Sequence, residues 1–164
     1  MIAKSSADSM AVLAQMVLPY QANPAGNVHG GEIMKMMDNA AGVAAQKHAH
    51  TNVVTARVDE LCFRKPVLVG DLVTCTAQVI YAGHSSMEVF VTVEAETLSA
   101  NNGPQIALTA FFTMVSLKED GSTSAVPPIT VGENGYDQKL YLEGEKRYYA
   151  HKNGKHRSSG AAQQ

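Results

Sequence analysis

Residues 23 to 38 read Asn-Pro-Ala-Gly-Asn-Val-His-Gly-Gly-Glu-Ile-Met-Lys-Met-Met-Asp, a Gly-rich turn that runs straight into an apolar, Met-rich helix. The first backbone N–H groups of a helix lack intrahelical partners and sit at the positive end of its dipole. Gly30 and Gly31 would therefore let a ligand oxygen approach them closely. Asn23, at the far edge of the turn, adds an amide donor. Asp38 follows among Ile33, Met34, Met36, Met37, Ala40, Ala41, Val43, Ala44 and Ala45, a pattern that predicts a helix buried on most sides. Together these residues form an anion site beside an acid: donors for an oxygen that gains negative charge, and a group able to take a proton. A plainer alternative gives the glycines to close packing, Asn23 to a turn cap and Asp38 to a backbone hydrogen bond. It is the weaker of the two, because a buried acid is rare unless it is paired or working.

Other chemistries lack their parts. His48 and His50 are close in sequence, yet no acid or Cys stands at a spacing that completes a metal site, so no metal is expected. A Gly-x-Ser-x-Gly elbow is missing, which disfavours a Ser–His–Asp hydrolase. His29 precedes the Gly-Gly pair and reads as shaping the loop. Cys62 and Cys75 fall in strand patterns and read as small core hydrophobes, and the Met cluster reads as core or as the lining of an apolar tunnel.

A chain of 164 residues is one domain by size and can bury a real core. Its net charge of −2 offers no overall basic field, so nucleic acid is not the expected partner. Two cysteines are too few for a disulfide framework, and no leader pattern opens the sequence. Nor does any stretch approach the roughly 20 apolar residues that span a bilayer. A soluble, cytoplasmic protein without membrane association is the expectation.

The elements that must position the site follow from periodicity. A first strand is expected over Met10 to Tyr20, then the helix from Gly30 to His48. Val54, Ala56 and Val58 next alternate with Thr55, Arg57 and Asp59 up to the Arg64-Lys65-Pro66 stop. Leu72 to Tyr81 places Val73, Cys75, Ala77, Val79 and Tyr81 on one face; Met87 to Ala95 alternates cleanly, and Gln105 to Leu117 is apolar on both faces. The fold class expected is α+β: about five antiparallel strands, the last four as a meander, curled around one long central helix. Lys118 to Glu133 reads as a linker and Tyr136 to His151 as a more polar C-terminal helix. The single domain would then cover residues 1–152, with 153–164 a flexible polar tail.

The loop and helix from Ala22 to Gly31, with Met37-Asp38 behind them, resemble the hotdog-fold acyl-CoA thioesterases, and more narrowly their acyl-CoA hydrolase subfamily. Matching segments are Val58-Asp59, Phe63-Arg64-Lys65-Pro66-Val67, Gly70-Asp71, Gly83 to Val89 and Glu143 to Tyr148. The resemblance covers about Met10 to Tyr149. It implies that Asn23 and Asp38 are the catalytic pair, that substrates are CoA thioesters, and that the chain forms homodimers assembled further into a trimer of dimers, a hexamer. No cofactor is implied, since CoA arrives and leaves with the substrate. Gly30 and Gly31 would donate to the thioester carbonyl, where each donor to an oxyanion contributes about 3 to 4 kcal/mol. Asp38 would be a general base or a nucleophile through an anhydride. Candidate CoA contacts are Gly83, His84, Ser85 and Ser86, for the pantetheine or diphosphate, and Lys146, Arg147, Arg64 and Lys65, for the phosphates. A module that binds acyl-CoA or a nucleotide without turnover, and a dehydratase on the same fold, are the alternatives.

Helix geometry constrains how such a site is built. Asp38 lies seven residues after Gly31, about 10 Å along the axis at roughly 1.5 Å per residue, too far for one helix to offer both groups to one carbonyl. A site shared between antiparallel helices of two subunits is therefore expected.

Overall fold

The computed structural model describes residues 1–159, with side chains as far as residue 154. In chain order the elements are β1 (Lys4–Ser5), β2 (Ala11–Met16), α1 (Gly30–Ala49), β3 (Asn52–Phe63), β4 (Leu72–Ala82), β5 (Ser86–Glu96), β6 (Gln105–Leu117), β7 (Ile129–Thr130) and α2 (Gly135–Ser159). β2 is shorter than the run Met10 to Tyr20. Pro19 opens a 3-10 turn, Pro19–Gln21, and the Gln21 side chain accepts a hydrogen bond from the Leu18 N–H at 2.9 Å.

Five antiparallel strands form the main sheet in the order β2-β4-β5-β6-β3. Only β4, β5 and β6 make the expected meander, because β3 crosses to the far edge beside β6. Residues 64–71 have the reach for this: eight residues extend up to roughly 28 Å, and three strand spacings total about 14 Å. Buried contacts fix the crossing. Val67 is buried and its carbonyl accepts from the Val28 N–H at 2.7 Å. The buried Asp71 carboxylate accepts from the Leu68 N–H at 2.9 Å and the Thr97 hydroxyl at 2.7 Å. The crossing thus runs past the turn that opens α1.

α1 lies in the concave face of the sheet and buries Ile33, Met36, Met37, Ala40, Ala41, Ala44, Ala45 and His48 against Val73, Cys75, Ala77, Val79, Val89, Val91 and Phe112. Its other face is open, which corrects the expectation of burial on most sides: Met34 is 41% and Val43 40% exposed, and Asp38 is exposed between them. Of the two cysteines, Cys75 is core and burial pushes its thiol up to about 12, whereas Cys62 is exposed on the edge strand. α2 covers the convex face. A bulge between Val79 and Tyr81 turns Tyr81 away from the α1 side to meet Tyr141 and Tyr148 of α2, so it does not share a face with Val79. Gly144 permits this approach, since a Cβ there would stand 2.7 Å from Tyr81 Cβ.

The segment after β6 is packed in place and does not behave as a linker. Val126 and Pro127 are buried, the Val126 N–H donates to the His84 carbonyl at 2.9 Å, and β7 pairs in parallel with β1. α2 extends past residue 152 into the stretch read as a tail, while residues 160–164 of that tail lie outside the described residues. Among the described residues no helix is long and apolar enough to cross a membrane.

His48, in the last turn of α1, is fully buried with Nε2 at 2.7 Å from the Pro127 carbonyl. A carbonyl only accepts, so Nε2 carries the proton, and the buried Nδ1 has no partner among the described residues. Burial, opposed by that hydrogen bond and aided by Lys4 and His50, holds this imidazole below its ordinary value. The unfolded chain then binds the proton more readily than the folded one. This contribution to stability is complete above about pH 6.5 and is lost as pH falls from there through the folded value. Between pH 7 and 5 the wild-type thermal midpoint should drop a few degrees further than that of His48→Leu; parallel curves would contradict this account.

Candidate active site

Asp38 projects from the open face of α1, and its Oδ1 accepts a hydrogen bond from Thr55 Oγ1 at 2.5 Å. Thr55 sits on β3, where its hydroxyl also lies 3.4 Å from the Met114 sulfur. One carboxylate oxygen is therefore held, and Oδ2 has no protein partner among the described residues. Gly31 and Gly42 flank Asp38 on the helix, and a Cβ at either position would meet nothing within 4 Å. The acid thus stands on a low, open, largely apolar stripe.

The Asn23 side chain both caps a turn and presents a donor. Its Oδ1 accepts from the backbone N–H groups of Ala25 at 3.0 Å and Asn27 at 3.2 Å, while the Asn23 backbone N–H donates to the Asn27 carbonyl at 2.7 Å. That leaves Nδ2 to donate elsewhere. Asn23 lines an open cleft of about 330 Å³ with Asn27, Phe63, Arg64, Lys65 and Pro66. The two glycines divide their roles. A Cβ on Gly30 would stand 3.1 Å from the Phe63 ring, so Gly30 is needed for packing, whereas the space at Gly31 is empty. No side chain caps this end of α1; the Glu32 N–H donates to the His29 carbonyl at 2.9 Å, and the Gly30 and Gly31 N–H groups have no partner among the described residues.

The structure brings some of the proposed CoA contacts together and separates others. Arg64 and Lys65, carried by the β3–β4 crossing, stand beside Asn23, with Lys65 also bonded to Gln105. Gly83 closes the β4–β5 turn through its N–H to the Ser86 carbonyl at 2.8 Å, and the Tyr148 ring occupies the place of its missing side chain. His84 is exposed; the Ser85 carbonyl is taken by the Ser116 N–H at 2.9 Å. Ser86 opens onto a cavity of about 280 Å³ between the convex face and α2. Lys146 is exposed, but its neighbour Arg147 is buried, paired with Glu60 at 2.7 Å and Glu143 at 2.8 Å. Arg147 is thus not the free surface cation that the basic run predicts. Among the described residues, no three His, Cys, Asp or Glu side chains gather as a metal site requires.

Comparison with known proteins places this geometry. The Thioesterase superfamily model matches residues 25–99. An uncharacterized acyl-CoA thioester hydrolase of Bacillus subtilis is 33% identical over 94% of this chain and 89% of its own length. The chain belongs to this hydrolase family. The cytosolic acyl coenzyme A thioester hydrolase of mouse is 37% identical over 85% of the chain, which spans only 37% of that protein's length. Among solved structures, an acyl-CoA hydrolase from Staphylococcus aureus, bound to butyryl coenzyme A, coenzyme A and coenzyme A disulfide, superposes with a TM-score of 0.86 at 31% identity, covering 97% of this chain and 96% of that one. The hotdog fold is thereby shown.

Structures of the same S. aureus protein carry alanine in place of one asparagine, one aspartate or one threonine, at positions separated by 15 and 17 residues. Asn23, Asp38 and Thr55 have the same separations here. Thr55, which composition and spacing do not single out, stands at the separation of that threonine and bonds Asp38. Its signal was a polar side chain on the strand that follows the helix, which becomes distinctive only when α1 folds against β3.

Proposed function

We propose that this chain hydrolyses acyl-CoA thioesters to a free acid and CoA. The observation that carries the proposal is the Asp38–Thr55 pair, set on an open helix face with one carboxylate oxygen unoccupied. Water attacks the thioester carbonyl carbon while Asp38 takes its proton; the carbonyl electrons move onto oxygen, where the Gly31 N–H and Asn23 Nδ2 donate to the negative charge. The carbonyl then re-forms, the C–S bond breaks, and CoA leaves as a thiolate, a group good enough to need little acid help. Thr55 fixes the carboxylate so that Oδ2 faces the water.

Helix length supports a shared site. α1 is unbroken from Gly30 to Ala49, so about 10 Å of axis separates Gly31 from Asp38. An antiparallel partner helix on the open stripe brings Asn23 and Gly31 of one subunit to Asp38 of the other, and covers Met34 and Val43. The dimer is the catalytic unit in this reading, and a trimer of dimers is its fuller assembly; thioesterases of this likeness from Yersinia pestis and elsewhere are hexameric. The setting is cytoplasmic, and no cofactor beyond the substrate's own CoA is required.

Release of free thiol from an acyl-CoA tests the activity: no thiol release by the intact assembly, with acyl-CoA bound, would leave a binding module. Arg64 and Lys65 serve phosphate binding beside Asn23, so their joint replacement by Ala should raise KM about three- to tenfold and flatten its salt dependence, with kcat little changed. A kcat loss at constant KM would move them into the reacting site.

A further inference from the structure

β3 carries Thr55 and, among the described residues of the single chain, is an edge strand hydrogen-bonded to β6. That ladder is interrupted twice, between Thr55 and Arg57 and between Asp59 and Cys62. In the second interruption Glu60 takes φ of 53°, a left-handed conformation that a non-glycine residue keeps only where its surroundings enforce it. In a regular strand successive side chains point to opposite faces, so Asp59 and Glu60 could not both reach one helix. The bulge turns both toward α2.

On α2 the partners are spaced by one turn. Arg147 meets Glu60 at 2.7 Å with its guanidinium 3.6 Å over the Phe111 ring of β6, and His151 places Nε2 at 2.9 Å from Asp59 and Nδ1 at 3.3 Å from Glu88 of β5. Thr113 of β6 donates to both Glu88 oxygens at 3.1 Å. The cluster is shielded on its α2 and β5 side, where the Arg147 side chain is 10% and the Glu88 side chain 1% exposed, and more open on β3, where Asp59 is 29% exposed and Glu60 more so. Exposed ion pairs hold geometry weakly, so the hold comes from the shielded members: without His151 the buried Glu88 carboxylate keeps only the Thr113 hydroxyl, whereas Arg147 also pairs with Glu143 at 2.8 Å.

We propose that Arg147 and His151 are positioning residues that fasten α2 to β3 through Glu60 and Asp59, and thereby hold Thr55 where it bonds Asp38. The proposal rests on the reading of Asp38 as the catalytic acid–base group, and it removes Arg147 from the CoA phosphates.

The test is a double-mutant cycle in the full-length protein. Arg147→Gln with His151→Gln should lower kcat for thiol release about tenfold and change KM less than about twofold. Added to Thr55→Ala, the same pair should cost less than about twofold, because the contact through which they act is already gone. Equal losses in both backgrounds would reduce α2 to a structural element and overturn the proposal. So would a raised KM with altered salt dependence and unchanged kcat, the result for a phosphate ligand. Should the helix-side pair fail to fold, Asp59→Asn with Glu60→Gln makes the same prediction from the strand side, where Glu60 is 67% exposed. Hydrogen exchange at residues 53–58 reads the clamp without turnover: about tenfold faster exchange in the clamp variants is expected, and unchanged exchange overturns it. Faster exchange in a protein that releases no thiol would fault the proposed activity and leave the clamp standing.

Discussion

Replacing Asp38 by Asn should lower thiol release from acyl-CoA by about 100-fold or more. The substitution keeps the volume, and the amide oxygen can still accept from Thr55, so the contact to β3 survives. Asp38 is exposed within its own chain, so the loss of charge costs the monomer core nothing. What disappears is the proton acceptor at Oδ2. Binding of CoA should be preserved, which separates a chemical defect from a folding or binding one. Turnover near the wild-type level would remove Asp38 from the mechanism and return it to a structural hydrogen bond.

The sequence made the scaffold legible where burial is one-sided and local. α1 begins at Gly30 as expected and ends one residue past His48, because a Gly-Gly entry and an unbroken apolar run specify both ends. β4 and β5 emerge from their alternation, and β6 from a long run apolar on both faces. The place of β3 does not, since period 2 says that a strand has a buried face and nothing about which strand lies beside it. A run of apolar residues likewise cannot tell core from interface. Met34 and Val43 counted toward burial in the sequence, yet in the folded chain they frame the open stripe around Asp38.

The site was legible in part for the same reason. Asn23, Gly31 and Asp38 belong to one loop and one helix, so their relation is encoded locally. Thr55 and Arg147 depend on contacts between distant segments. A threonine on a strand is unremarkable until it meets Asp38, and an arginine in a basic run looks free until Glu60, far away in sequence, neutralises it. Tyr81 was misplaced by a single bulge, which leaves no mark in the alternation.

Mixing two inactive variants tests the shared site most directly. Asn23→Ala subunits and Asp38→Asn subunits, combined in equal amounts under conditions that permit exchange, should form mixed dimers as about half of the population. If Asn23 of one subunit meets Asp38 of the other, each mixed dimer has one site with both defects and one site with neither, so activity should recover to about a quarter of wild-type sites. Subunit exchange is verified separately by mass. No recovery in verified mixed dimers would mean that each site draws Asn23 and Asp38 from a single chain, and that the antiparallel pairing of α1 is wrong.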